Sequence, residues 1–123
     1  MNFYLSPSSI SQYLAKKVFN YYEYFDSIVL KYLENRNYLI SKLKNLGLTD
    51  FITPEGAFYL YVNISKINKN SYDFCKRMVD DIGVTVAPGI DFDDKSGNNY
   101  VRFSYSCKKL ELVESVNLIK NWL

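Results

Sequence analysis

The sequence predicts an α+β fold: a small mixed three-stranded sheet with helices packed on it in two layers, preceded by a long N-terminal helix. Three observations carry this reading. The first third of the chain repeats its apolar residues at helical spacing, and three later runs alternate as strands do. Between and after those strands lie amphipathic segments bounded by helix-capping residues. A chain of 123 residues is the length of one domain with one modest core.

From the N-terminus, Ile10, Leu14, Val18, Tyr21, Phe25, Val29, Tyr32, Leu39, Leu43 and Leu46 recur near 3.6-residue spacing, with Arg36 in the one polar slot. Ser8 or Ser9 supplies the N-cap after Pro7, and Gly47 the stop. Asn20 and the tyrosine pair after it suggest a break, giving a short helix at 8–19 and a long one at 22–46. The second would extend about 36 Å at roughly 1.5 Å per residue, more than a small core requires. Thr53-Pro54-Glu55-Gly56 is turn chemistry. Ala57–Ile64 follows as a strand with Phe58, Leu60, Val62 and Ile64 on one face. Asn70 or Ser71 caps a helix with the stripe Phe74, Met78, Val79 and Ile82, ended by Gly83. Val84–Ala87 reads as a short strand stopped at Pro88-Gly89, residues 91–99 as a polar loop, and Tyr100–Ser106 as the third strand. Glu111–Leu123 closes the chain as an amphipathic helix carrying Leu112, Val116, Ile119 and Leu123, with Trp122 beside them.

Composition excludes several classes of chemistry. There is no histidine, which removes Ser-His-Asp triads, Cys-His dyads and nearly every zinc site. Cys75 and Cys107 have no metal-ligand spacing; a disulfide stays open, with two buried free thiols in a reducing compartment the preferred reading. A formal charge of +2 with dispersed lysines does not make a phosphate-tracking patch, so no nucleic-acid partner is expected. No run approaches the ~18 apolar residues of a membrane span. Met1–Ser11 lacks the charged and apolar regions of a signal peptide, so a cytoplasmic protein is the expectation. Asp80-Asp81 and Asp93-Asp94 are read as solvated pairs rather than metal or acid–base pairs.

One residue stands out as a candidate binding group. Alternation in Tyr100–Ser106 puts Val101, Phe103 and Tyr105 on the core face and Arg102 on the polar one. A guanidinium on a rigid strand can take a carboxylate through two parallel hydrogen bonds, which an ammonium cannot. By alternation alone, a surface arginine in a loose ion pair is the commoner outcome.

The ordered run Pro54-Glu55-Gly56-Ala57-Phe58-Tyr59, Gly83-Val84, Val86-Ala87-Pro88-Gly89, Phe92, Gly97 and Tyr100-Val101-Arg102-Phe103-Ser104-Tyr105 resembles the C-terminal third of the aspartate aminotransferase family. These are fold-type-I enzymes of the class I and II aminotransferases. Ser6–Tyr13 and Asn35–Leu39 look similar to the same family, in the same order, so the resemblance covers essentially the whole chain. It implies residues 1–20 as a remnant of the large cofactor domain. Residues 21–123 would then be the small domain, including the long interdomain helix. It also implies transfer of an amino group between an amino acid, such as aspartate, and a 2-oxo acid with pyridoxal phosphate as cofactor. Family members are homodimers. By the resemblance, Arg102 matches the arginine that binds the substrate α-carboxylate. Asp93 departs from the family, where glycine is common, and bears on how that loop closes.

The cofactor's own binding residues find no match here. None of the twelve lysines has the surroundings of a Schiff-base lysine, and Lys108-Lys109 reads as a solvated helix start. The expectation is therefore a truncated C-terminal fragment that binds substrate carboxylate, is inactive alone, and has no catalytic, cofactor-binding or metal-binding residue of its own. The alternative is a non-catalytic α+β module that binds an amino acid or another protein chain.

Overall fold

The computed structural model describes residues 6–123. The first five residues of the expected cofactor-domain remnant lie outside the described residues. The chain forms two compact units, one ending at Lys31 and the other Tyr32–Leu123.

Within the first unit, helix α1 spans Ser9–Val18. Ser8 is the N-cap, its Oγ accepting the Ser11 N–H at 3.2 Å, and Lys16 and Lys17 occupy the last turn, where they favour the negative end of the helix dipole. No residue of α1 is buried. Helix α2, Tyr22–Asn45, begins in this unit and runs into the second, and all its buried residues, Asn35, Leu39 and Leu43, belong to the second. Gly47 then takes a φ of 83°, a left-handed conformation that glycine adopts without steric cost.

The second unit is the α+β layer pair. Strands β1 (Tyr59–Asn63), β2 (Ala87–Pro88) and β3 (Tyr100–Ser104) lie in the order β1-β3-β2. Both pairings are antiparallel, so the sheet is not mixed as the sequence suggested. The reason is the connection between β2 and β3, which carries no crossover helix and returns the chain in the opposite sense. Pairing Leu60 with Phe103 and Val62 with Val101 puts all four side chains on one face, where all are buried. Leu39 and Leu43 of α2 join them, together with Phe74 and Met78 of helix α3 (Ser71–Ile82). Leu112, Val116 and Ile119 of helix α4 (Lys109–Trp122) complete the cluster. Each such side chain contributes about 1.5–3 kcal/mol through burial.

Several boundaries differ from the sequence reading. The first strand shortens at both ends to Tyr59–Asn63, with Ala57 left at a φ of 58° and Phe58 exposed beside it. Only Ala87 and Pro88 of the second strand pair, and Pro88 belongs to it rather than ending it; on an edge strand the missing N–H goes unneeded. The loop at 91–99 is bounded by two short 3-10 turns, Gly89–Asp91 and Gly97–Asn99. The third strand ends at Ser104, and α4 starts two residues early at Lys109, whose preceding N–H on Lys108 donates to Glu111 Oε2 at 3.3 Å. Val79 and Leu123 face solvent instead of completing their stripes. Both cysteines are free; Cys75 is buried and Cys107 only half-buried, which corrects the expected pair of buried thiols. Burial, aided by Asp91, pushes the Cys75 thiol up to about 11, so it stays protonated and inert at neutral pH.

Candidate functional site

Arg102 sits at the middle of the central strand, opposite Tyr61 of β1 on one side and Ala87 of β2 on the other. Its sequence neighbours Val101 and Phe103 are anchored in the core. The side chain therefore leaves the sheet from its opposite face, as alternation predicts. There its guanidinium carbon lies 4.0 Å from the centroid of the Tyr59 ring and 4.0 Å from that of Phe92. Tyr59 is placed by the β1–β3 register, and Phe92 arrives from the loop after β2. Both flat faces of the cation are thus covered by aromatic rings, an electrostatically favourable contact that also displaces water from them. Neither of the two ion pairs among the described residues, Lys76–Asp80 and Lys108–Glu111, includes Arg102. The loose ion pair that alternation alone would favour is absent among them. With its faces covered, the fork offers its N–H groups in plane, which is the geometry that receives a carboxylate.

The same face carries a second aromatic pair. Tyr61 and Tyr100 stack with centroids 4.8 Å apart and planes 2° from parallel. The Tyr61 hydroxyl donates to the Gly89 carbonyl at 3.4 Å, and burial, then the charge of Asp93, raises its pKa. These two rings line a cleft of about 520 Å³ with Asp50, Phe51, Asp93 and Ser96.

The loop that carries Phe92 is set by two glycines in contact. A Cβ on Gly89 would lie 2.5 Å from the Gly97 carbonyl oxygen and 2.6 Å from that of Tyr100, and one on Gly97 would collide with the Gly89 backbone. The N–H groups of Phe92 and Asp93 donate to the Gly89 carbonyl at 2.9 and 3.0 Å, and Gly97 N–H donates to the Asp93 carbonyl at 2.9 Å. Asp93 spends one carboxylate oxygen on the Lys95 N–H at 2.9 Å.

One buried polar residue escaped the sequence reading. Asn35, not Arg36, fills the polar position in the buried stripe of α2. Its Nδ2 donates to the carbonyls of Tyr105 at 3.1 Å and Cys107 at 2.9 Å, tying α2 to the chain just past the Arg102 strand. Arg36 is turned aside and donates to the Pro54 carbonyl at 2.8 Å. The spacing Asn35, Leu39, Leu43 was the available signal, since a polar group at the head of an i, i+4, i+8 apolar row must find a partner. Tyr105, buried beside it, donates its hydroxyl to the Ala57 carbonyl at 3.2 Å, and burial raises its pKa.

The remaining candidates do not converge. Asp80 pairs with Lys76 at 2.6 Å, and Asp81 accepts from Trp122 Nε1 at 2.8 Å. Lys108 and Lys109 are exposed, with Lys109 Nζ resting 4.1 Å from the centroid of the Tyr38 ring. Among the described residues no group of acidic or cysteine side chains is arranged to hold a metal, and no helix is long and apolar enough to cross a membrane.

A small antiparallel sheet backed by helices accords with comparison to known proteins. Residues 1–117 match the model of the family described as aminotransferase class I and II, and the chain belongs to that family. It is similar to a valine–pyruvate aminotransferase of Mycobacterium tuberculosis, 33% identical over 99% of this chain and 32% of that protein. An aspartate aminotransferase of Pyrococcus horikoshii is 36% identical over 76% of this chain and 24% of its own length. The crystal structure of an aminotransferase from Mycobacterium tuberculosis superposes on 80% of this chain with a TM-score of 0.78 and 35% identity, using 25% of that chain. The chain thus spans about a quarter to a third of the length of these relatives, in keeping with the C-terminal portion that its motifs resemble.

Proposed function

We propose that this chain is the substrate-carboxylate-binding part of an aminotransferase that moves an amino group between an amino acid such as aspartate and a 2-oxo acid. Arg102 is the residue that takes the α-carboxylate. The observation that carries the reading is the stacking of its guanidinium between Tyr59 and Phe92 on the central strand, which leaves the in-plane fork for an anion. In this reading residues 1–20 belong to the cofactor domain and 21–123 to the small domain of a cytoplasmic homodimeric enzyme.

Pyridoxal phosphate, when bound to such an enzyme, holds the amino group between the two half-reactions. The residues present here do not fit its attachment. A lysine that bonds it must shed its proton in a sheltered site, and all twelve lysines of this chain are exposed. Lys76 goes the other way, its ammonium favoured by the hydrogen bond to Asp80. This supports a cofactor lysine supplied from outside these 123 residues and a chain that is inactive by itself.

Calorimetric titration of the chain with L-aspartate tests the carboxylate assignment. Arg102→Lys should weaken binding by roughly 1.5–3 kcal/mol, the scale of a charge-assisted hydrogen bond lost with the planar fork. Equal affinity in the variant would sink it. A second reading, a protein-interaction module, is favoured by the exposed apolar row Ile10, Leu14 and Val18 on α1. Concentration-dependent sedimentation that disappears on replacing those three residues by serine would support it over the first.

A further inference from the structure

We propose that Phe92 is a positioning residue for Arg102: it closes the second face of the guanidinium and holds the fork in the orientation that receives a carboxylate. The proposal rests on the carboxylate reading of Arg102. Tyr59, opposite Ser104 in the β1–β3 register, is the diagonal neighbour of Arg102 on the same sheet face, so the strand itself brings it within reach. Phe92 has no such reason to be where it is. It is 52% exposed, on a loop of otherwise polar residues, and is not part of the core cluster. A phenyl ring about half exposed keeps much of its surface in water, and the cation lies 4.0 Å from its centroid.

The loop beneath it is built to hold the ring still. Gly89 and Gly97 bring two backbone segments closer than any side chain would permit, and three backbone hydrogen bonds from Phe92, Asp93 and Gly97 lock the turn between them. An arginine side chain on an open strand face samples many rotamers, and fixing it costs entropy each time an anion binds. Stacked from both sides, Arg102 has spent that entropy before the ligand arrives. Phe92 does not itself touch the carboxylate; it acts through Arg102.

The test uses the full chain, Phe92→Leu and Phe92→Tyr, with acetate as the probe, its affinity read by calorimetry, and the Arg102 Nε–H resonance reporting on the side chain. In the unaltered protein that proton should be shifted upfield by the two rings and its solvent exchange slowed. Phe92→Leu should move it toward the position of a free arginine and weaken acetate binding by roughly three- to tenfold, within the range of a stacked cation. Phe92→Tyr should restore both, which a merely structural role for the loop would not require. An Arg102 signal unchanged in Phe92→Leu overturns the proposal. So does a changed signal with unaltered acetate affinity, provided Arg102→Lys lowers that affinity. If Arg102→Lys leaves acetate binding intact, the carboxylate reading itself fails, and Phe92 then positions nothing of functional use.

Discussion

Ile10, Leu14 and Val18 of α1 recur at the same four-residue interval as Asn35, Leu39 and Leu43 of α2, yet the first row is exposed and the second is at most 3% exposed. Helical period alone does not separate them. What separates them is a partner: Leu39 and Leu43 belong to the core cluster that also holds side chains of β1, β3, α3 and α4, whereas α1 buries nothing. A ten-residue helix without tertiary burial is marginal in water, so the ends of α1 carry more of its stability than its apolar row does. An amphipathic stripe states which face can be buried; it does not state against what.

The contrast can be broken most sharply in the core. Leu60→Ala removes a fully buried side chain at the β1–β3 pairing and should cost about 2–5 kcal/mol, read from urea unfolding followed by far-ultraviolet circular dichroism. A loss below ~1 kcal/mol would mean that the sheet face is not the packed layer described. Asn35→Ala is the intermediate case, because it deprives two carbonyls of their donor; about 1–3 kcal/mol is expected by the same measurement. At the other end, Leu14→Ala, at a site 55% exposed, should change the unfolding free energy by less than ~0.5 kcal/mol. A cost near that of Leu60→Ala would place α1 in a buried interface and erase the distinction between the two rows.

Much of this architecture could be read from residue order. Ser8 or Ser9, Asn70 or Ser71, and Gly83 announce helix ends by chemistry local to each position, and the observed caps are Ser8, Asn70 and Gly83. Alternation in Tyr100–Ser106 placed Arg102 on the open face because strand geometry leaves no other choice. The features that escaped depend on residues far apart in sequence. Nothing within 84–106 states the direction of its strands, which follows from how the loop between them returns. Phe92 belongs to a polar stretch and gains meaning only when folding carries it across to Arg102. Asn35 stands some 70 residues from the carbonyls it serves, so its role could be anticipated as a need for a partner but not as a particular bond.

That bond also fixes which of several packings is allowed. Sliding α2 by one residue would bring Glu34 or Arg36 to the place of Asn35. The first would set a carboxylate against the carbonyls of Tyr105 and Cys107, and the second would put a full charge into the core. Asn35 works as a key cut for one alignment of helix against strand. Its worth lies less in the energy it adds than in the wrong alignments it makes expensive.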